Sequence, residues 1–319
     1  MNEFEIIEHY FKQAYPSSKD DLALGIGDDA AIVNVPEDSE LVISMDTLVA
    51  GVHFFENTPP EDIAFKSLAV NLSDIAAMGA SPRWLSLSLT LPDKDLDWIE
   101  KFASSFNKLA AEHSLVLIGG DLTQGPLSIT VQIHGINPKG KSLRRGGANA
   151  GDAIYVSGKL GAAAYALKSI EDSILYPAAT EEEIQRLHRP EARIKTGITL
   201  RDVATSCIDI SDGLIADLGH ILKASEVGAE LELSCIPYSD SLKNIDNSLA
   251  IELALTGGDD YELCFTIPGG LPEAILEEVD SICPIARIGV INNKNALLVL
   301  NNENEEVYDL TSKSYSHFD

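Results

Sequence analysis

Nothing in the 319 residues approaches the run of ~20 uncharged positions that a membrane-crossing helix needs. The opening MNEFEIIEHYF is acidic where a secretory signal would be basic and then continuously apolar, so a cytoplasmic location is expected and no membrane partner. Cysteine is scarce: Cys207, Cys235, Cys264 and Cys283 lie too far apart for a C-x-x-C pair, and they are expected to be buried thiols. Positive charge is also in short supply. Against 50 Asp and Glu stand 23 Lys and Arg, a formal charge of −27, which argues against nucleic acid as a partner because phosphate-backbone affinity is carried by clustered basic residues.

What is present is enough chain for two domains, since single cores usually stop growing near ~250–300 residues. In the first half, LVISMD (41–46), RWLSLSLTL (83–91), LVLIGGD (115–121) and LSITVQIHGI (127–136) read as strands. A helix from about 61 to 78 follows Pro59–Pro60 and closes at Gly79, and DLDWIEKFASSFNKLAAEHS has helical spacing. The Gly- and Asn-rich stretch 137–152 holds the dense basic cluster Lys139, Lys141, Arg144 and Arg145, and places a boundary between residues 1–149 and 150–319. Beyond it, AIYVSG, CIDIS, AELELS, YELCFTI and ARIGVI read as strands, with helices near 160–169, 191–204, 212–225 and 271–279. The first half is expected to be α/β and the second α+β or α/β.

Two phosphate-binding motifs fail on context. Gly135–Ser142, GINPKGKS, matches the P-loop pattern, but LRRGGANAG follows where a helix must open onto the phosphates. Gly25, Gly27 and Ala30 satisfy a loose dinucleotide fingerprint, yet AIVNVP is β-branched and stopped by proline rather than helical.

The informative pattern is a set of aspartates that end or interrupt apolar segments: Asp29 in GIGDDAAIV, Asp46 after LVISM, Asp74 inside LAVNLSDIAAMG, Asp121 after LVLIGG, and Asp209 with Asp212 in IDISDG. One alone would be a helix cap or turn former. Asp74 is the sharpest, because a mid-helix aspartate has poor propensity and no capping role, so it needs a compensating partner. Oxygen donors without His or Cys clusters select hard cations, Mg²⁺ above all, which couples carboxylates to phosphates. The glycines of GIGDD, IGGD, SDG and LTGGDD allow backbone to approach phosphate, and Arg144 and Arg145 add fixed positive charge.

Taken in order, GIGDDAA, SMDTLVAGVHF, KSLAVNLSDIAAMGASP, LIGGDLTQGP, IDISDGLIADLGHI and LTGGDDYELCF resemble the thiamine-monophosphate kinase family, a branch of the superfamily of aminoimidazole-ribonucleotide synthetase and selenide water dikinase. The resemblance implies a two-domain aminoimidazole-ribonucleotide-synthetase-like fold, an N-terminal domain that dimerises through its strands, and ATP held between the halves. It also implies transfer of the ATP γ-phosphoryl group to thiamine monophosphate, assisted by several Mg²⁺ ions and with no acid–base residue.

Position by position, the resemblance makes Asp29, Ser44, Asp46, Asp74, Asp121 and Asp209 Mg²⁺ ligands, with Asp212 on a further ion. Gly120, Asp121, Arg145 and Ser211 would contact ATP, and His53, Asp259 and Tyr315 would face the thiamine phosphate. Met45 stands where relatives often carry Thr, leaving only its carbonyl as a ligand, and Asp259 stands where Glu is common, which shortens its reach. A sister activity with another acceptor, or a non-catalytic nucleotide-binding regulator, are the alternatives. The selenophosphate-forming branch usually shows a reactive Cys near its N-terminus, whereas the first cysteine here is Cys207.

Overall fold

The computed structural model describes residues 1–12, 21–301 and 306–307. Its chain divides into two units, Met1–Ile75 with Ala80–Gly140, and Ala76–Gly79 with Lys141–Asp319. The first carries α1 (Glu3–Ile6), β1 (Leu22–Leu24), β2 (Ile32–Val33), β3 (Ser39–Val49), most of α2 (Pro60–Ala77), β4 (Ser81–Leu91), α3 (Leu96–Glu112), β5 (Val116–Gln124) and β6 (Ser128–Pro138).

Strands β3, β6, β4 and β5 form one sheet in that order, antiparallel except for β4 against β5. Period-two alternation buries Leu85, Leu87 and Leu89 of β4 with Ile129, Val131 and Ile133 of β6 on one face. The register sets Ser44 opposite Ile133 and Asp46 opposite Val131, so these two polar residues of β3 share that face. Helix α2 meets them there, its Asn71 Oδ1 accepting the Asp46 amide at 3.1 Å. Gly79, at φ 62°, supplies the left-handed stop after α2. On α3, Ile99, Phe102, Ala103, Phe106, Leu109 and Ala110 are buried at three- and four-residue steps, and Asp95 caps the helix by accepting the amides of Asp97 and Trp98.

Elsewhere in this unit Trp84, Val116 and Ile118 pack with Leu22, Ala31, Val33 and Ile136. Along edge strand β3, the alternate residues Leu41, Ile43 and Met45 stay exposed.

The second unit carries β7 (Ala153–Ser157), α4 (Ala162–Glu171), α5 (Glu181–His188), α6 (Ile194–Leu200), β8 (Ser206–Asp209), α7 (Leu214–Ser225), β9 (Gly228–Glu232), α8 (Asn247–Thr256), β10 (Leu263–Ile267), α9 (Glu273–Ile282), β11 (Ile285–Asn292), β12 (Leu297–Asn301) and β13 (Glu306–Val307). Its strands form a seven-stranded sheet, β13-β12-β9-β11-β7-β10-β8, in which only β12 against β9 is parallel. Ile154, Val156, Ile208, Leu218, Ile221, Cys264 and Ile288 lie in its core. The expected mixture of α/β and α+β architecture is what the two sheets display.

Some boundaries differ from the sequence reading. The helix expected over 191–204 contracts to α6, because Arg193, at φ −86° and ψ 45°, sits outside the helix as its N-cap and residues 201–203 continue only as turn. The strand expected from Tyr261 begins at Leu263, since Tyr261 is left-handed at φ 50°. Cys207, Cys264 and Cys283 are buried thiols, whereas Cys235 is exposed, contrary to expectation, because it falls in a short surface 3-10 turn after β9. Among the described residues no helix is long and apolar enough to cross a membrane.

Candidate active site

Three of the sequence-selected residues meet where β3 passes under α2. Ser44 Oγ donates to Asp74 Oδ2 at 2.5 Å, and Asp46 lies beside the same carboxylate. Burial first, then the charge of Asp74 and a hydrogen bond with it, push Asp46 up to about 7. Two carboxylates and a hydroxyl, drawn partly out of water, form an oxygen-only donor group with more negative charge than burial tolerates. Among the described residues no three His, Cys, Asp or Glu side chains converge closely enough to hold an ion by themselves. The group still fits Mg²⁺, which takes one or two carboxylates and completes its shell with waters and substrate phosphates. The Met45 side chain points to the opposite, exposed face of β3, as alternation demands, so only its backbone belongs with its two neighbours.

The other aspartates of the first unit lie apart. Asp46 pairs across the sheet with Val131, Val131 with Leu87, and Leu87 with Gly120. Three strand spacings, about 14 Å, therefore separate Asp46 from the Gly120–Asp121 stretch, more than two carboxylates can span on one ion. Asp121 is exposed on β5, and Asp29 is exposed ahead of β2 with its amide donating to Asp28 Oδ1 at 2.8 Å. A Cβ at Gly120 would stand 1.9 Å from the Leu87 carbonyl oxygen, so only glycine fits there. His53, half-buried in the β3–α2 connection, accepts the Val49 amide on Nδ1 at 3.0 Å, which leaves the proton of its neutral ring on Nε2.

A second group forms in the other unit where β8 runs into α7. Asp209 ends β8 and is buried; Ser211 and Asp212 follow in a turn that Gly213, at φ 112°, redirects into the helix. The loop before β10 is stitched to this turn. The Asp259 amide donates to the Ser211 carbonyl at 2.9 Å and the Tyr261 amide to the Ile210 carbonyl at 2.8 Å. Asp259 and Tyr261 both adopt left-handed backbone, at φ 67° and 50°, and the Tyr261 hydroxyl donates to Asp259 Oδ1 at 3.0 Å. Two buried acids alternate with them. Asp260 accepts the Gly161 amide with both oxygens, at 3.0 and 2.9 Å, and Glu262 accepts from Ser157 Oγ at 2.6 Å and from Arg193 Nε and Nη2 at 2.7 and 2.5 Å.

Sequence reasoning missed Asp217. It is buried, and its Oδ2 accepts the amides of both Ser211 and Asp212 at 3.0 Å. Burial pushes it up to about 6 although those amides and the charge of exposed Arg145 pull the other way, which also places Arg145 near this turn. The signal was in the sequence: Asp217 sits on the stripe Leu214, Leu218, Ile221, where a charge is out of place. Tyr315 lies outside the described residues. Lys141 of GINPKGKS forms an ion pair with Asp202, and no helix opens after it, so the P-loop pattern is incidental.

Residues 27–137 match the family described as AIR synthase related protein, N-terminal domain, and residues 149–299 match its C-terminal domain. Thiamine-monophosphate kinase of Escherichia coli (strain K12) is 51% identical over 269 residues, 83% of this chain and 82% of that one. The crystal structure of thiamine-monophosphate kinase from Stenotrophomonas maltophilia K279a aligns with a TM-score of 0.87 at 42% identity, covering 97% of this chain and 98% of that one. A structure of AaThiL complexed with AMPPCP and TMP aligns with a TM-score of 0.76 at 30% identity over 99% of this chain and 97% of that one. Both domains match, and the relatives are similar over most of their length: the chain belongs to the thiamine-monophosphate kinase family of AIR synthase related proteins.

Proposed function

We propose that this chain phosphorylates thiamine monophosphate with ATP, forming thiamine diphosphate and ADP. The observation that carries the reading is the Asp46–Asp74 pair beside Ser44, a site asking for a hard cation on a chain whose relatives are named for this activity. An oxygen of the acceptor phosphate bonds to the γ-phosphorus of ATP, and the bond from that phosphorus to the β,γ-bridging oxygen breaks. The attacking oxygen is already anionic, so no side chain need remove a proton. What remains for the protein is to align two polyanions and offset their charge.

Asp29, Ser44, Asp46, Asp74, Asp121 and Asp209, with the Met45 carbonyl and Asp212, would hold magnesium, divided among several ions so that Asp46 and Asp121 do not meet on one. When bound, it supplies positive charge that screens phosphate oxygens on both reactants. Gly120, Asp121, Arg145 and Ser211 hold the nucleotide, and Arg145 offers its phosphates a planar fork of donors. His53 presents Nε2–H to the acceptor phosphate, and Asp259 and Tyr315 orient the thiamine moiety. Ser157, Arg193 and Glu262 keep the strand end behind Asp259 fixed.

The functional division falls between residues 149 and 150, the enzyme works in the cytoplasm, and two copies pair through β3. Support for pairing comes from Leu41, Ile43 and Met45, an exposed apolar strip on an edge strand. Ile43→Lys with Met45→Lys should convert a dimer to a monomer in sedimentation velocity; a parent that is already monomeric refutes the pairing. The activity is tested by coupled ADP release with ATP and Mg²⁺, with and without thiamine monophosphate. Release that depends on thiamine monophosphate is expected. Thermal stabilisation by ATP with no ADP release would make the protein a nucleotide-binding regulator instead.

A further inference from the structure

We propose that Asp217 is a positioning residue that sets the turn through which the chain meets its nucleotide. The inference rests on the kinase reading for the identity of the ligand. It rests on geometry for the role.

The Ser211–Asp212 turn has to present two side chains, and its backbone is held from two sides. From below, one carboxylate oxygen of Asp217 collects two consecutive amides, those of Ser211 and Asp212, each at 3.0 Å. From above, the Ser211 carbonyl accepts the Asp259 amide at 2.9 Å. Gly258 permits that approach, since a Cβ there would lie 2.5 Å from the Ser211 oxygen. Asp217 is itself buried, on the inner face of α7 between Leu214 and Leu218, one helical turn after Gly213. A charged acceptor in that position satisfies two donors ahead of the helix that no α7 carbonyl can reach, and it orders the turn before any ligand arrives.

The substrate loop does not depend on it to the same degree. Its Asp259 and Tyr261 amides donate to the carbonyls of the same two peptide units, but it has anchors of its own on either side, Asp260 on the Gly161 amide and Glu262 on Ser157 and Arg193. Loss of Asp217 therefore falls more heavily on nucleotide affinity than on acceptor affinity.

The test compares Asp217→Ala and Asp217→Asn with the parent. Asn keeps an oxygen able to accept both amides; Ala keeps none. In Asp217→Ala, amide hydrogen exchange at Ser211 and Asp212 should accelerate by at least about tenfold, and affinity for AMPPCP with Mg²⁺, by calorimetry, should fall by about tenfold or more. The KM for thiamine monophosphate should stay within about threefold, and Asp217→Asn should recover most of the AMPPCP affinity. Unchanged exchange at the two amides overturns the proposal, as does equal loss in the Asn and Ala variants or a KM for thiamine monophosphate that rises in step with the nucleotide constant. Should the Ala variant not fold, amide exchange in the Asn variant decides, with rates at Ser211 and Asp212 within about threefold of the parent expected and acceleration of about tenfold or more contradicting it. A parent that forms no thiamine diphosphate sinks the kinase reading alone, because amide exchange reports on Asp217 without any reaction.

Discussion

Replacing Asp74 by Asn removes one charge from the pair with Asp46 while leaving an oxygen for Ser44 Oγ, which donates to Oδ2 at 2.5 Å in the parent. Burial, and after it the neighbouring Asp74, raise Asp46 from 3.8 to about 7. At ~1.4 kcal/mol per pKa unit, ionising the ion-free pair costs the fold about 4 kcal/mol. A raised acid holds its proton more tightly folded than unfolded, so this group stabilises the ion-free protein most below 3.8 and progressively less as pH climbs to about 7.

Between about pH 5.5 and about pH 8 the parent should lose about 2 kcal/mol through this pair. Burial survives the substitution and the Asp74 charge does not, so the variant should lose only about 1 kcal/mol over the same range. Calorimetry in EDTA at about pH 8 should show the melting temperature of Asp74→Asn some 2–4 °C above the parent's. Turnover at limiting Mg²⁺ should fall about 100-fold or more, because a charged ligand has gone. A variant that melts lower than the parent in EDTA, or that turns over normally at limiting Mg²⁺, refutes the reasoning.

Other substitutions probe separate features. Lys141→Ala should leave kcat/KM within about twofold and stability within about 1 kcal/mol, because its partner is the exposed Asp202 and no helix opens after it as a P-loop requires; a kinetic assay and a urea titration check both. Arg193→Met should cost about 3–5 kcal/mol in urea unfolding, since it strands the buried Glu262 carboxylate without its fork of donors.

Much of this architecture was readable because local chemistry and fold agree. RWLSLSLTL alternates because β4 has a buried face, and the helix before Gly79 was marked at both ends. Asp74 stood out because a charge inside an apolar helix must have a partner, and the structure supplies Ser44 and Asp46. Where several forces share a position, the sequence was silent. The left-handed backbone of Asp259 and Tyr261 is held by hydrogen bonds that their amides donate to carbonyls about 50 positions earlier, and neither residue type announces it. Helix α5 has few apolar residues to show a period, and α8 is so continuously apolar that no polar face marks it as helical. Asp217 shares the stretch IDISDGLIADLGHI with Asp209 and Asp212, and only its place on the buried stripe of α7 sets it apart.

The central claim is direct transfer between two phosphates, and the fate of the γ-phosphoryl group tests it. With γ-labelled ATP, Mg²⁺ and thiamine monophosphate, the label should appear in the terminal phosphate of thiamine diphosphate, one for each ADP formed and none without Mg²⁺. Label found only in inorganic phosphate, or retained on the protein, would contradict it.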